Sequence, residues 1–260
     1  MGDFYFPFGN KLEKVKQTDT TPNKDVFVLG VYASAVHARW VDAEGNEKVK
    51  ALAVASEPCI FWNGDDAEKI ISSIIIPKEL GKLEAPKVKS LNGPSGVALD
   101  ELFLKPLGYK REKAWLCDLL PESRVNVQQR KVIEKYYTND IIKKFNLSPA
   151  SIPDFNENEL EQNAPTRHLD ILNELESSGA KMIILLGDLP IRWFLYFFDK
   201  RYKKLSDFGT TPETYGKRHK ITLNGKEYSV CPLCHPRNAA RLGTFSKEWS
   251  NLHNQWIKHN

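Results

Sequence analysis

Cysteine is scarce. Of the four in 260 residues, only Cys231 and Cys234 stand at the C-x-x-C spacing of a metal or redox pair. Cys59 and Cys117 have no close companions, whereas zinc and iron–sulfur sites draw their ligands from closely spaced sets, so neither is expected. Cys231-Pro-Leu-Cys-His235 also has the spacing of a haem attachment. That chemistry calls for an export signal, and Met1-Gly-Asp-Phe-Tyr-Phe-Pro-Phe8 has neither the basic start nor the apolar core of one. Runs of about 18 or more apolar residues are lacking too, which excludes a membrane-spanning helix. There is no internal repeat and no low-complexity tract. A cytoplasmic protein without metal or cofactor is expected, with Cys117, Cys231 and Cys234 as buried apolar thiols.

What is present fits a globular chain, 41% hydrophobic and 27% charged. Its net charge of +4 is unevenly spread: residues 200–260 carry 12 Lys and Arg against 4 Asp and Glu. A basic end of this kind favours a polyanionic partner.

Apolar runs mark the strands. Val26-Phe-Val-Leu29 follows the turn cluster Thr20-Thr21-Pro22-Asn23 and ends at Gly30, where small residues let the backbone approach a ligand. Residues 38–62 read as a hairpin turning at Glu44-Gly45-Asn46, with His37 and Arg39 on the solvated face of a turn. A helix is expected over 65–76, ending before Pro77, then a surface connection punctuated by Pro77, Gly81 and Pro86. Gly93-Pro94-Ser95-Gly96 opens a second helix that Gly108 closes, and Ala114–Leu120 is the next strand, apolar throughout except for Asp118. That continuity suits a parallel sheet covered on both faces. Residues 127–163 read as irregular with one helical stretch, and His168 to Gly179 as a helix. Lys181–Leu186 is a third strand, and Gly187-Asp188 starts an aromatic helix that Asp188 caps. A hairpin at Asn224-Gly225 leads to the fourth strand. Alternating strands and helices predict an α/β protein, a three-layer α/β/α sandwich around a central, mostly parallel four-stranded sheet. The domain expectation is one domain over 1–260 with an insertion around 40–88.

The most informative stretch is Tyr228-Ser-Val-Cys-Pro-Leu-Cys-His-Pro-Arg-Asn238. Pro236 biases His235 towards an extended backbone, so a stiff turn presents the imidazole at a strand end. Arg237, Arg241 and Lys247 follow, and a positioned donor beside basic side chains suits chemistry on a group attached to a phosphate backbone. In parallel sheets working groups gather at strand C-termini, here the segment from Gly30 to His37, Asp118, Asp188 and His235.

In this order the elements resemble the uracil-DNA glycosylase superfamily, nearest its bacterial four-cysteine branch. Val28-Leu29-Gly30-Val31-Tyr32-Ala33-Ser34 is similar to the family's first motif. Gly93-Pro94-Ser95-Gly96 is similar to its Gly-x-x-Gly helix start, Leu185-Leu186-Gly187 to its Leu-Gly, and His235-Pro236-Arg237 to its His-Pro-Ser. Trp249 and Trp256 fit its final amphipathic helix. The resemblance implies a DNA-repair glycosylase acting on a base flipped from single-stranded or damaged DNA, as a monomer without cofactor. It further implies that His235 donates to the leaving base and Tyr32 or Ser34 aligns water. Gly30, Val31, Leu91 and Asp118 contact the base, while Arg237, Asn238, Arg241 and Lys247 hold DNA.

The chain departs from the pattern where active branches carry an acid or amide after the motif glycine; Val31 and Tyr32 stand there. Leu91 takes the place of the base-stacking Phe, Arg237 that of the Ser, and the iron–sulfur cysteines are missing. A catalytically silent nucleic-acid-binding member of the same fold, or a hydrolase of small nucleotides, are the alternatives.

Overall fold

In the computed structural model, residues 3–17 and 19–260 are described; Met1 and Gly2 of the N-terminal stretch and Thr18 of the polar lead-in lie outside them. Among the described residues eight strands follow in chain order: β1 Val26–Gly30, β2 Ala35–Val41, β3 Glu47–Ser56, β4 Lys82–Glu84, β5 Ala114–Asp118, β6 Met182–Leu186, β7 His219–Leu223 and β8 Lys226–Leu233. The chain divides into two compact units. The first takes the residues up to Lys16, Ala33–Pro94 and Pro121–Asn156; the second takes Gln17–Tyr32, Ser95–Leu120 and Glu157–Asn260.

In the first unit β2 lies between β3 and β4 in an antiparallel sheet of three strands. The hairpin expected over 38–62 is β2–β3. The presumed connection after Pro77 instead supplies β4, which pairs Leu83 with Trp40, and Trp40 Nε1–H donates to the Leu80 carbonyl at 2.6 Å. The core gathers Phe6, Trp40, Leu52, Val54, Trp62 and Ile71. The helix expected over 65–76 is shorter, Ala67–Ser72. Its preceding Asp66 accepts from Trp62 Nε1–H at 2.7 Å instead of capping. The stretch after 127 holds two helices, Val127–Tyr136 and Asn139–Phe145. Asn126 and Gln129 form a reciprocal capping box at the start of the first. His37 is buried on β2, not solvated, and Arg39 pairs with Glu47 and Glu84.

The second unit is built on a five-stranded sheet in the order β5-β1-β6-β8-β7. The first four strands are mutually parallel. The expected four-stranded sheet therefore gains a fifth, antiparallel edge strand, β7. The reason is the two-residue turn: Asn224 (φ 47°) and Gly225 (φ 78°) both take the left-handed conformation of the tight hairpin that lays β7 against β8. β1, β5 and β6 are buried along their whole length, so both faces of the sheet's centre are covered. Pro232 sits in β8 without loss because β7 pairing stops at Val230.

The helix expected from His168 starts a full eleven residues earlier and runs over Glu157–Ser178. Pro165 lies inside it, exposed, where its missing N–H removes the helical bond to the carbonyl of exposed Glu161. Leu160, Ala164, Ile171 and Leu175 carry the buried stripe across the proline.

Candidate functional site

The connections of the parallel strands place the site. From β1 the chain passes to β5 on one side, while from β6 it passes to β8 on the other, so the C-terminal ends of β1 and β6 form a topological switch point. Gly30 is level with Asp118, Leu29 with Leu185, and Leu186 with Leu233. Gly30, Asp118, Gly187-Asp188 and His235 thus belong to one edge of one sheet, whereas the expected segment from Gly30 to His37 leaves it after Tyr32 and enters β2 of the first unit.

His235 is fixed from both sides. Its backbone is extended (φ −60°, ψ 144°) and it caps the short helix Pro236–Ala239. Its Nδ1 accepts the Arg237 N–H at 3.1 Å, and its carbonyl accepts the Asn238 N–H at 2.8 Å. Because Nδ1 is an acceptor, the ring's proton resides on Nε2. Burial, with the Arg237 charge beside it, lowers the histidine to about 4. The imidazole is therefore neutral at physiological pH and offers one N–H.

Gly187 backs this arrangement. Its N–H donates to the Leu233 carbonyl at 2.8 Å, its φ is +92°, and a Cβ there would come 3.3 Å from the His235 Cβ. Only glycine meets both demands without strain. Asp188 is not the cap expected of it; its carboxylate accepts the Leu205 N–H at 2.8 Å.

A buried chain of hydrogen bonds anchors the residue before His235, and sequence reasoning missed it. The Cys234 N–H donates to Tyr215 Oη at 2.9 Å, and Tyr215 O–H donates to His253 Nδ1 at 2.8 Å. His253 Nε2–H completes it by donating to the Leu102 carbonyl at 2.9 Å. Burial lowers His253 to about 4, keeping it neutral as this pattern requires. A signal existed: His253 lies on the apolar stripe with Leu252 and Trp256 of the helix Lys247–Lys258, where a polar ring needs partners.

At the other end of the edge, Asp118 is buried. Arg167 donates from Nη2 to the Asp118 carbonyl at 2.7 Å and from Nε to the Leu119 carbonyl at 3.2 Å, closing the end of β5. The N–H groups of Leu119 and Leu120 bind the carbonyls of Gly30 and Val31 at 3.3 and 2.9 Å, which holds the backbone of the first loop. Val31 is buried and Tyr32 half-buried.

Of the residues expected to hold DNA, Arg237, Arg241 and Lys247 are exposed. Arg241 Nε–H donates to Ser250 Oγ at 3.0 Å. Asn238 is committed to bracing, since its Oδ1 accepts the Ser246 N–H at 2.9 Å. The four cysteines are free thiols. Burial pushes Cys231 and Cys234 up to about 12. Among the described residues no group of three or more His, Cys, Asp and Glu is placed to hold a metal.

Ser34 and Leu91 belong to the first unit. Leu91 is 37% exposed. Ser34 lies in a polar cluster that the sequence does not reveal, its Oγ 3.4 Å from the Gln129 amide nitrogen. The same nitrogen is 2.7 Å from His37 Nε2. Gln129 Oε1 accepts the Asn126 N–H at 2.7 Å, so the amide nitrogen faces His37 and donates to it. Asn92 clasps both backbone groups of His37, at 2.8 and 2.9 Å. Beside them Glu57 accepts the Ser34 backbone N–H, and burial pushes its carboxyl up to about 8. A separate groove of about 570 Å³, lined by Arg130, Tyr137 and Asp140 among others, holds none of the residues singled out from the sequence.

Compared with protein-family models and with curated proteins, the chain matches none.

Proposed function

We propose that this chain is a DNA glycosylase of the uracil-DNA glycosylase fold, a three-layer α/β/α arrangement, releasing uracil or a related damaged base as a cytoplasmic monomer. The observation that carries the reading is His235: a neutral imidazole whose Nδ1 is occupied by the Arg237 N–H, leaving its Nε2–H at the C-terminal edge of the four parallel strands. Heterolysis of the bond from the sugar carbon to the base nitrogen sends the electron pair into the base, where it collects on a carbonyl oxygen. A neutral, preorganised N–H stabilises that anion without first giving up a proton. Water then adds to the sugar carbon, and its proton leaves to solvent or to the departing base.

The switch-point position supports this, as does the backbone of Gly30 to Tyr32, held by Leu119 and Leu120. Asp118, level with Gly30, is assigned to the base edge. Tyr32 is the hydroxyl this loop offers to water. Arg237 and Arg241, both exposed, are assigned to phosphates, with affinity that falls as salt rises. A silent nucleic-acid-binding role is the second reading, favoured by the buried Val31 where active branches carry a polar group.

Oligonucleotides bearing one uracil, hypoxanthine or xanthine, single- and double-stranded, test the proposal after alkaline scission of abasic sites. Scission by the wild type, reduced roughly a hundred- to thousandfold in His235→Ala, is expected. Binding without scission on every substrate overturns the glycosylase reading in favour of the silent one.

A further inference from the structure

Two basic runs that are distant in sequence meet on the second unit. Lys200, Arg201, Lys203 and Lys204 follow the helical stretch ending at Phe198; Lys217 and Arg218 precede β7 and Lys220 lies in it. Rings bring them together: Tyr202 stacks face to face on Phe208 at 3.9 Å, and His219 packs edge-on against Phe208 at 4.8 Å. Burial and the nearby Arg201 charge both lower His219, so no further positive charge is added between them.

Most of these cations are uncommitted. Arg201 pairs with Asp199 at 2.7 Å and Lys220 with Glu227 at 3.2 Å. Among the described residues Lys200, Lys203, Lys204, Lys217 and Arg218 make no ion pair, and all are exposed. The loop carrying them is held firmly: Asp207 accepts the N–H groups of Lys203 and Lys204 at 2.7 and 3.0 Å.

Aromatic rings are interleaved with the charges. Lys200 Nζ lies 4.3 Å from the centroid of half-buried Tyr196. Phe197 is 39% exposed and stacks on His168 at 4.4 Å. Cations on a braced backbone beside rings serve an anion that also has flat faces to stack. A duplex hides those faces and a lipid headgroup has none.

We propose that this surface binds single-stranded DNA. It deepens the glycosylase reading by naming the form of substrate. The Leu205 N–H, next after Lys204, is tied to Asp188, the neighbour of the Gly187 that abuts His235, so the basic loop ends beside the candidate site.

Fluorescence anisotropy of the full chain with an oligothymidylate of about 20 nucleotides, its duplex and phosphatidylserine vesicles tests this across about 50 to 200 mM salt. The single strand should bind tightest. Combined Lys203→Ala, Lys204→Ala and Lys217→Ala should flatten the logarithmic salt slope by about 2. Phe197→Ala should weaken the single strand about tenfold while sparing the duplex. Unchanged affinity and slope in the triple variant, or tighter binding of duplex or vesicles, overturns the proposal. Binding is read apart from base release: wild-type binding without release removes only the glycosylase reading, whereas release with an unaltered KM in the triple variant removes only this one.

Discussion

Gly187 and His235 are packed backbone to side chain across the ends of β6 and β8, with 3.3 Å between a Cβ built on the glycine and that of the histidine. The contact couples a backbone conformation to the placement of one imidazole. Gly187→Ala would meet both the close approach and a φ of +92°. It should cost about 1–3 kcal/mol in stability and shift His235. Urea unfolding should show the loss, and base release should fall by more than the folded fraction does.

Tyr215→Phe removes the oxygen that joins the Cys234 N–H to His253. Two buried polar groups are then unpaired, at a cost of about 1–3 kcal/mol each. Because those partners hold the residue before His235, Tyr215→Phe and His253→Leu should be non-additive. A double-mutant cycle by denaturation should give a coupling of about 0.5–3 kcal/mol, and zero coupling would show that the chain does not act as a unit.

Acid should unfold the protein through three histidines that the fold holds neutral. His37, His235 and His253 protonate near 6.5 in ordinary surroundings but only at about 4 in the fold. Between these values the unfolded chain binds more protons, so stability falls as pH drops from 6.5 towards 4 and reaches its full loss below 4. Thermal melts across this range should show the slope, and His253→Leu, though less stable, should show a smaller one.

Glu57 acts at the opposite end. Its carboxyl is raised from 4.5 to about 8, so it stays protonated in the fold over a range where the unfolded chain loses the proton. Its contribution is complete below 4.5 and disappears as pH rises through 8. Glu57→Gln should therefore lose less stability than wild type between about pH 6 and about pH 9, measured by urea midpoints.

The four parallel strands were legible from apolar runs, which fill β1, β6 and most of β5 but only the second half of β8, and the strand-end logic brought Gly30, Asp118 and His235 to one edge. β4 was not, because Lys82–Glu84 is short, charged and stabilised by its pairing with β2. Pro165 concealed the early start of the helix Glu157–Ser178, since a proline in a helix interior removes a hydrogen bond and ordinarily marks a break. The site's supports escaped for another reason. Tyr215, His253 and Arg167 act on backbone groups far away in sequence, and no local spacing records such a partnership. The same holds for Ser34, Glu57 and Gln129, which come from three separate segments.

If, as proposed, a neutral His235 drives base release, single-turnover release of uracil from a single-stranded oligonucleotide, followed against pH, should report it. A rate that stays level through the usual histidine range near 6.5, consistent with the value of about 4 in the fold, and that collapses in His235→Ala, is predicted. A rate that falls as pH rises through 6.5 would mean that a cationic acid does the work, and release that is absent or unchanged in His235→Ala would contradict the account.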